Sequence, residues 1–149
     1  MFICRHCPYV VHVQEELSRL GSDYYDEGLG MVAISSNDVD HYPDDHPDRL
    51  KAMAQELRFR FPYCYDESQE VAKFFTAACT PDFFLFDANQ RLVYRGQLDS
   101  SRPGNKHVVT GIDLRTAIDA VLAKRSINKD QYPSAGCNIK WKPEGSPSY

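Results

Sequence analysis

Apolar residues recur at helical spacing at Val10, Val13, Leu17, Leu20 and Tyr24, behind Pro8, which a first helical turn tolerates, and ahead of Gly28 and Gly30. The spacing predicts an amphipathic helix that opens at a cysteine pair. Met31 to Ser35 is a continuous apolar run of strand length, the pattern of a strand covered on both faces. Asn37 to Pro47, rich in acids and proline, reads as a loop with a solvated acidic face. Leu50, Met53, Ala54 and Leu57 mark a second helix, and Phe61 to Tyr65 a short strand or extended segment. Asp66 followed by Gln69 resembles a capping box for a third helix carrying Val71, Ala72, Phe74 and Phe75. Asp82 to Phe86 and Arg91 to Leu98, joined by Asp87-Ala88-Asn89-Gln90, predict a β-hairpin. After the polar loop Ser100 to Lys106, residues Ile112, Leu114, Ala117, Ile118, Val121 and Leu122 define a last amphipathic helix.

Periodicity stops after Ser126. The order of elements predicts an α/β domain with a mixed sheet over residues 1–125, followed by an irregular tail over 126–149, in which Cys137, Ile139 and Trp141 dock part of the segment. Phe74, Phe75, Phe83, Phe84, Phe86 and Tyr94 read as core and cross-strand packing. At 149 residues, 42% hydrophobic and 26% charged, the chain is an ordinary single globular domain, which excludes disordered and fibrous classes. Its net charge of -4 lies in no basic block, so nucleic acid is excluded as a partner. No apolar run reaches the roughly 18 residues of a membrane helix. Nothing marks export, and the expected location is cytoplasmic.

Cys4-Arg5-His6-Cys7 carries the chemistry. Zinc needs four ligands, and the remaining Cys (64, 79, 137) and His (12, 41, 46, 107) show no second ligand pair, so no metal site is assigned. A dithiol/disulfide pair needs only what is present. A free thiol with pKa near 8.5 is about 3% ionised at neutral pH, whereas a helix N-terminus and a cationic neighbour bring it to roughly 3.5–7.5. Cys4 is placed at the helix cap as the nucleophile, Cys7 within the first turn as the resolving thiol, His6 as the residue that tunes the pKa, and Arg5 as a source of positive potential.

The blocks Phe2-Ile3-Cys4-Arg5-His6-Cys7-Pro8-Tyr9-Val10, Ile34-Ser35-Ser36-Asn37-Asp38, Cys79-Thr80-Pro81-Asp82-Phe83, Tyr94-Arg95-Gly96-Gln97-Leu98-Asp99 and Gly136-Cys137-Asn138-Ile139-Lys140-Trp141, with Phe61-Pro62-Tyr63 and Tyr65-Asp66-Glu67, resemble the AhpC/TSA-type redoxins of the thioredoxin superfamily. The resemblance implies a thioredoxin-like fold in which Pro81, preceded by Thr80, is cis and faces the Cys pair. It also implies that this segment and Arg5 bind an extended substrate by strand addition. A His before the second Cys is shared with oxidising members, and His6 holds that place. The peroxidases of the family carry a Thr three residues before the reactive Cys, and Met1 stands there instead.

The expected activity is therefore thiol–disulfide exchange without a bound cofactor, on protein or small-molecule disulfides, with an external thiol reductant. The competing readings are a hydroperoxide-reducing thiol peroxidase, a copper-handling protein using Cys4, Cys7 and a His, and a redox-inactive binding module. Cys79 and Cys137 are candidate secondary thiols, as a redox or tethering pair or as buried reduced residues, and Cys64 is expected to be a buried, inert thiol. Met1-Phe2-Ile3 is short for a central strand, which predicts an in-frame N-terminal extension upstream of Met1 or a homodimer covering the sheet.

Overall fold

The hydrophobic seam at Val10, Val13, Leu17 and Leu20 becomes the buried face of α1 (Pro8–Asp23) in the computed structural model, which describes all 149 residues. In chain order there follow β1 (Ala33–Ser35), a 3₁₀ turn at Pro43–Asp45, α2 (Pro47–Glu56), β2 (Tyr63–Tyr65), α3 (Glu70–Phe74), β3 (Cys79–Thr80), β4 (Phe83–Phe86), β5 (Leu92–Gly96), α4 (Ile112–Leu122) and β6 (Cys137–Asn138). No helix is long and apolar enough to cross a membrane.

Phe2 joins the strands into one mixed sheet. Its N–H donates to the Asp82 carbonyl at 2.8 Å and its carbonyl accepts from the Asp82 N–H at 3.0 Å, an antiparallel bridge. On its other side the Ile3 N–H donates to the Ile34 carbonyl and the Ile34 N–H to the Met1 carbonyl, each at 2.9 Å, a parallel bridge. With β1 parallel to β2 and β4 antiparallel to β5, the strands run β2, β1, the Phe2 segment, β4, β5. The three residues ahead of the Cys pair are thus bonded on both edges.

Alternation across the pleat sends successive side chains to opposite faces. Ile3, Phe83 and Leu85 meet Val10, Val13, Leu17 and Leu20 of α1 and Leu114, Ala117 and Ile118 of α4. Phe2 and Phe84 point the other way, toward Phe75, Ala72 and Ala77, and this second cluster is closed by Ile139 and Trp141 of the C-terminal segment. Phe74, expected in the core, is 84% exposed. In a helix of five residues Ala72 and Phe75, three apart, take the inward face, and Phe74 is left outside.

The capping box is also corrected. The Asp66 carboxylate accepts from the Ala72 N–H at 3.0 Å, as a cap would, but Gln69 makes no return bond. Its amide donates instead to the carbonyls of Ser36 and Lys140, and it accepts from the Lys142 N–H, so Gln69 anchors the C-terminal segment.

Candidate functional site

Cys7, not Cys4, caps α1. Its backbone is extended (φ -70°, ψ 124°), and its carbonyl accepts from Val10 and Val11 at 3.0 Å each. The correction has a simple cause: Pro8 fixes the first helical position, so the cap falls on the residue before it. Cys4 sits one turn earlier, after the Phe2 bridge, and both thiols are buried, at 1% and 0% exposure. They are not bonded to each other.

Thr80 faces both sulfurs. Its hydroxyl is hydrogen-bonded to Cys4 Sγ at 3.3 Å, and its carbonyl lies 3.2 Å from Cys7 Sγ. The Thr80–Pro81 peptide is cis. Cys7 is lowered to about 4, first by the hydrogen bond from the Cys4 thiol, with further hydrogen bonds from the thiol and N–H of Cys137 and from Thr80, against desolvation. The Thr80 carbonyl opposes this, since it favours a protonated Cys7, but the donors outnumber it and the helix N-terminus adds its dipole. Cys4 is correspondingly pushed up, by its hydrogen bond to Cys7, by burial and by the nearby Asp45 carboxylate. The acidity of the pair is thus tilted toward Cys7.

Asp45 was not expected at the site. The acidic run looked solvated, yet Asp45 is fully buried. Its Oδ1 accepts from the N–H groups of Arg5 at 2.7 Å and His6 at 3.2 Å, and its Oδ2 lies 2.5 Å from His6 Nδ1 and accepts from Asn37 Nδ2 at 2.8 Å. Asp45 thus clamps the loop between the two cysteines. Nothing in the local pattern separates it from Asp44, and its partners in the Cys loop, Arg5 and His6, lie some 40 residues away in sequence. His6 is held by this carboxylate and by stacking on Tyr42, with centroids 5.6 Å apart. The Arg5 guanidinium pairs with Asp44 at 3.7 Å, which reduces the positive potential expected of it.

Cys4, His6 and Asp45 bring one potential metal ligand each within 4.8 Å of one another. The Asp45 oxygens already serve four partners, so the set is built as a clamp and fits a metal poorly.

Cys137 reaches the site on β6, which pairs antiparallel with β3 so that Thr80 faces Cys137 and Cys79 faces Asn138. The edge expected to receive a substrate strand is already engaged by the chain itself. Cys137 packs on the cluster that contains Cys4 and Cys7. Burial pushes Cys137 up to about 11, with help from its hydrogen bond to Cys7. Cys79 is pushed up to about 12, mainly by burial, and its thiol donates to the Pro81 carbonyl at 3.7 Å. Cys64, expected buried, is exposed on β2. Arg95 is held by Thr76 and Asp82, and Arg102 by the carbonyls of Asp99 and Ser101 and the side chain of Gln97.

A family profile described as the AhpC/TSA family matches residues 1–95. The crystal structure of an uncharacterized conserved protein from Geobacillus kaustophilus is 57% identical and superposes with a TM-score of 0.94, over 96% of this chain and 76% of that one. That of a hypothetical protein from Sinorhizobium meliloti 1021 is 50% identical, with a TM-score of 0.94, over 95% of this chain and 77% of that one. No curated protein matches the sequence.

Proposed function

Since the chain belongs to the AhpC/TSA family and is a redoxin of thioredoxin-like fold, we propose that it is a thiol–disulfide oxidoreductase working through Cys4 and Cys7. The observation that carries this reading is the cap of α1, where Cys7 and Cys4 both lie against Thr80. The Cys7 thiolate attacks one sulfur of a substrate disulfide, and the other sulfur leaves as a thiolate. Cys4 gives up its proton to the departing thiolate and attacks Cys7, which releases the second substrate sulfur and leaves a Cys4–Cys7 disulfide. An external thiol returns the pair to the reduced state. The clamp of Asp45 and His6 fixes the loop in which the two sulfurs meet.

The peroxidase reading ranks second. Counting three residues back from Cys4 gives Met1, and from Cys7 gives Cys4, so neither count supplies the hydroxyl that peroxidases place there. Arg95 and Arg102 are both engaged in structural contacts. The test is reduction of insulin disulfides by dithiothreitol, with hydrogen peroxide consumption assayed on the same preparation. Acceleration of insulin reduction that is lost in Cys7→Ser, with little peroxide turnover, is the expected result. Peroxide turnover without disulfide reduction would reverse the ranking, and neither activity would favour a binding module.

A further inference from the structure

β6 pairs with β3 at Thr80, the residue that touches both sulfurs of the Cys pair. It is pinned from both sides. Upstream, the Gln97 N–H donates to the Tyr132 carbonyl at 2.9 Å and the Ser134 hydroxyl to the Gly96 carbonyl at 2.7 Å. Downstream, the Ile139 N–H donates to the Ala78 carbonyl at 3.1 Å, and the Lys140 N–H to Asn37 Oδ1 at 2.8 Å. Between these anchors Gly136 approaches so closely that a β-carbon there would lie 1.9 Å from the Thr80 carbonyl oxygen. The segment therefore lies on Thr80 as an extended substrate would, and it presents a cysteine at the register position opposite Thr80.

We propose that β6 is a built-in substrate mimic whose Cys137 exchanges with the Cys4–Cys7 disulfide to give a Cys7–Cys137 disulfide. The inference rests on the oxidoreductase reading, which supplies the oxidised pair. In the exchange the Cys137 thiolate attacks Cys7 Sγ, the Cys7–Cys137 bond forms, the Cys4–Cys7 bond breaks, and Cys4 leaves as a thiolate that takes up the proton Cys137 lost. No net oxidation occurs, so no further oxidant is needed. Thr80 is the common template, holding Cys4 by its hydroxyl, Cys7 at its carbonyl and Cys137 by strand pairing.

The acidity of Cys137 changes in the direction the exchange requires. In the reduced protein the Cys7 charge and its hydrogen bond help to keep Cys137 protonated. Oxidation removes that charge and leaves Lys140, which favours the thiolate. The product ties the C-terminal segment across the substrate edge, so the oxidised protein excludes a second substrate until a reductant opens it. Cys79 takes no part, because its thiol is turned to the Pro81 carbonyl.

The sequence makes the test unambiguous, since trypsin places each of the five cysteines on its own peptide. Cleavage after Arg5 separates Cys4 (residues 1–5) from Cys7 (6–19), while Cys79 lies on 74–91 and Cys137 on 130–140. The full chain is oxidised with oxidised glutathione, blocked with N-ethylmaleimide, digested without reduction and read by mass spectrometry. Wild type is expected to show both the 1–5/6–19 and the 6–19/130–140 cross-links. Cys4→Ser should keep only the second, and Cys79→Ser should change neither. A 1–5/6–19 cross-link without any 6–19/130–140 species in wild type or Cys4→Ser overturns the exchange and leaves the oxidoreductase reading standing. So does a 74–91/130–140 cross-link in its place. Absence of both expected cross-links from wild type overturns the oxidoreductase reading itself.

Discussion

Two cysteines three positions apart acquire opposite acidities through their contact with each other, with burial and the Asp45 carboxylate adding to the rise at Cys4. A helix opening at the Cys pair is legible from the Cys-x-x-Cys spacing and the apolar seam behind it, whereas the cap falls on Cys7 and not Cys4 because Pro8 prefers the first helical position. With Cys7 lowered to about 4, its thiolate is fully formed above about pH 5.5. Alkylation of Cys7 by iodoacetamide is thus expected to be nearly flat between about pH 5.5 and 7.5. An ordinary thiol near 8.5 would speed up about tenfold per pH unit over this range. Peptide masses should show 6–19 consumed before 1–5, and the reverse order would return the attacking role to Cys4. Asp45 was illegible, since its role depends on contacts distant in sequence that no periodicity encodes. Its negative charge works against a thiolate at Cys4. Asp45→Asn keeps an acceptor for the Arg5 and His6 N–H groups and removes that charge, so the Cys4 thiol becomes more acidic. Alkylation of Cys4, followed on peptide 1–5 above about pH 8, is expected to be faster than in wild type. A rate that stays unchanged or falls would assign Asp45 to positioning alone.

Among the elements, α1, the hairpin and α4 were legible because each carries enough residues to repeat its period. The short pieces were not. β3 and β6 are two residues each, too few to alternate, and the docking of Cys137, Ile139 and Trp141 could be inferred from their apolar character but not their partner. Gln69 looked like a capping residue because the local pattern cannot show that a distant carbonyl, that of Lys140, competes for its amide. The β6 pairing makes a specific demand on Gly136, because the atoms a β-carbon would meet are the Thr80 backbone, which cannot turn aside. Gly136→Ala is expected to lift β6 from β3 at a cost of about 1–3 kcal/mol. Hydrogen exchange at the Ile139 amide, bonded to Ala78 in the folded chain, should accelerate while amides of α1 keep their protection. Unchanged protection at Ile139 would show that the downstream anchors alone hold the segment.

Across the whole molecule, the sheet converges on the Met1–Ile3 segment, and the reactive loop follows it directly. The mixed α/β class was legible from the alternation of elements, and the thioredoxin-like fold from the resemblance carried by the motif blocks. The placement of Phe2 as the bridge between β1 and β4 was not, since three residues carry no period. Phe2 is 2% exposed and packs edge-to-face on Phe75 and Phe84, each at 5.7 Å. Phe2→Ala should cost about 3–5 kcal/mol, a large share of a domain stability of about 5–15 kcal/mol. Urea denaturation of the reduced protein would show this as a lower midpoint at unchanged slope. A loss below about 1 kcal/mol would mean that the Phe2 bridge does not bind the sheet together. Whether Cys7 is the hub of a reversible disulfide is decided by a redox titration in glutathione buffers with free thiols tagged at each ratio. Cys7 is expected to leave the free-thiol pool together with one partner thiol in a single two-electron transition, and Cys7→Ser to abolish the transition. A Cys7 that stays free across the series, while exposed Cys64 takes up glutathione, would contradict it.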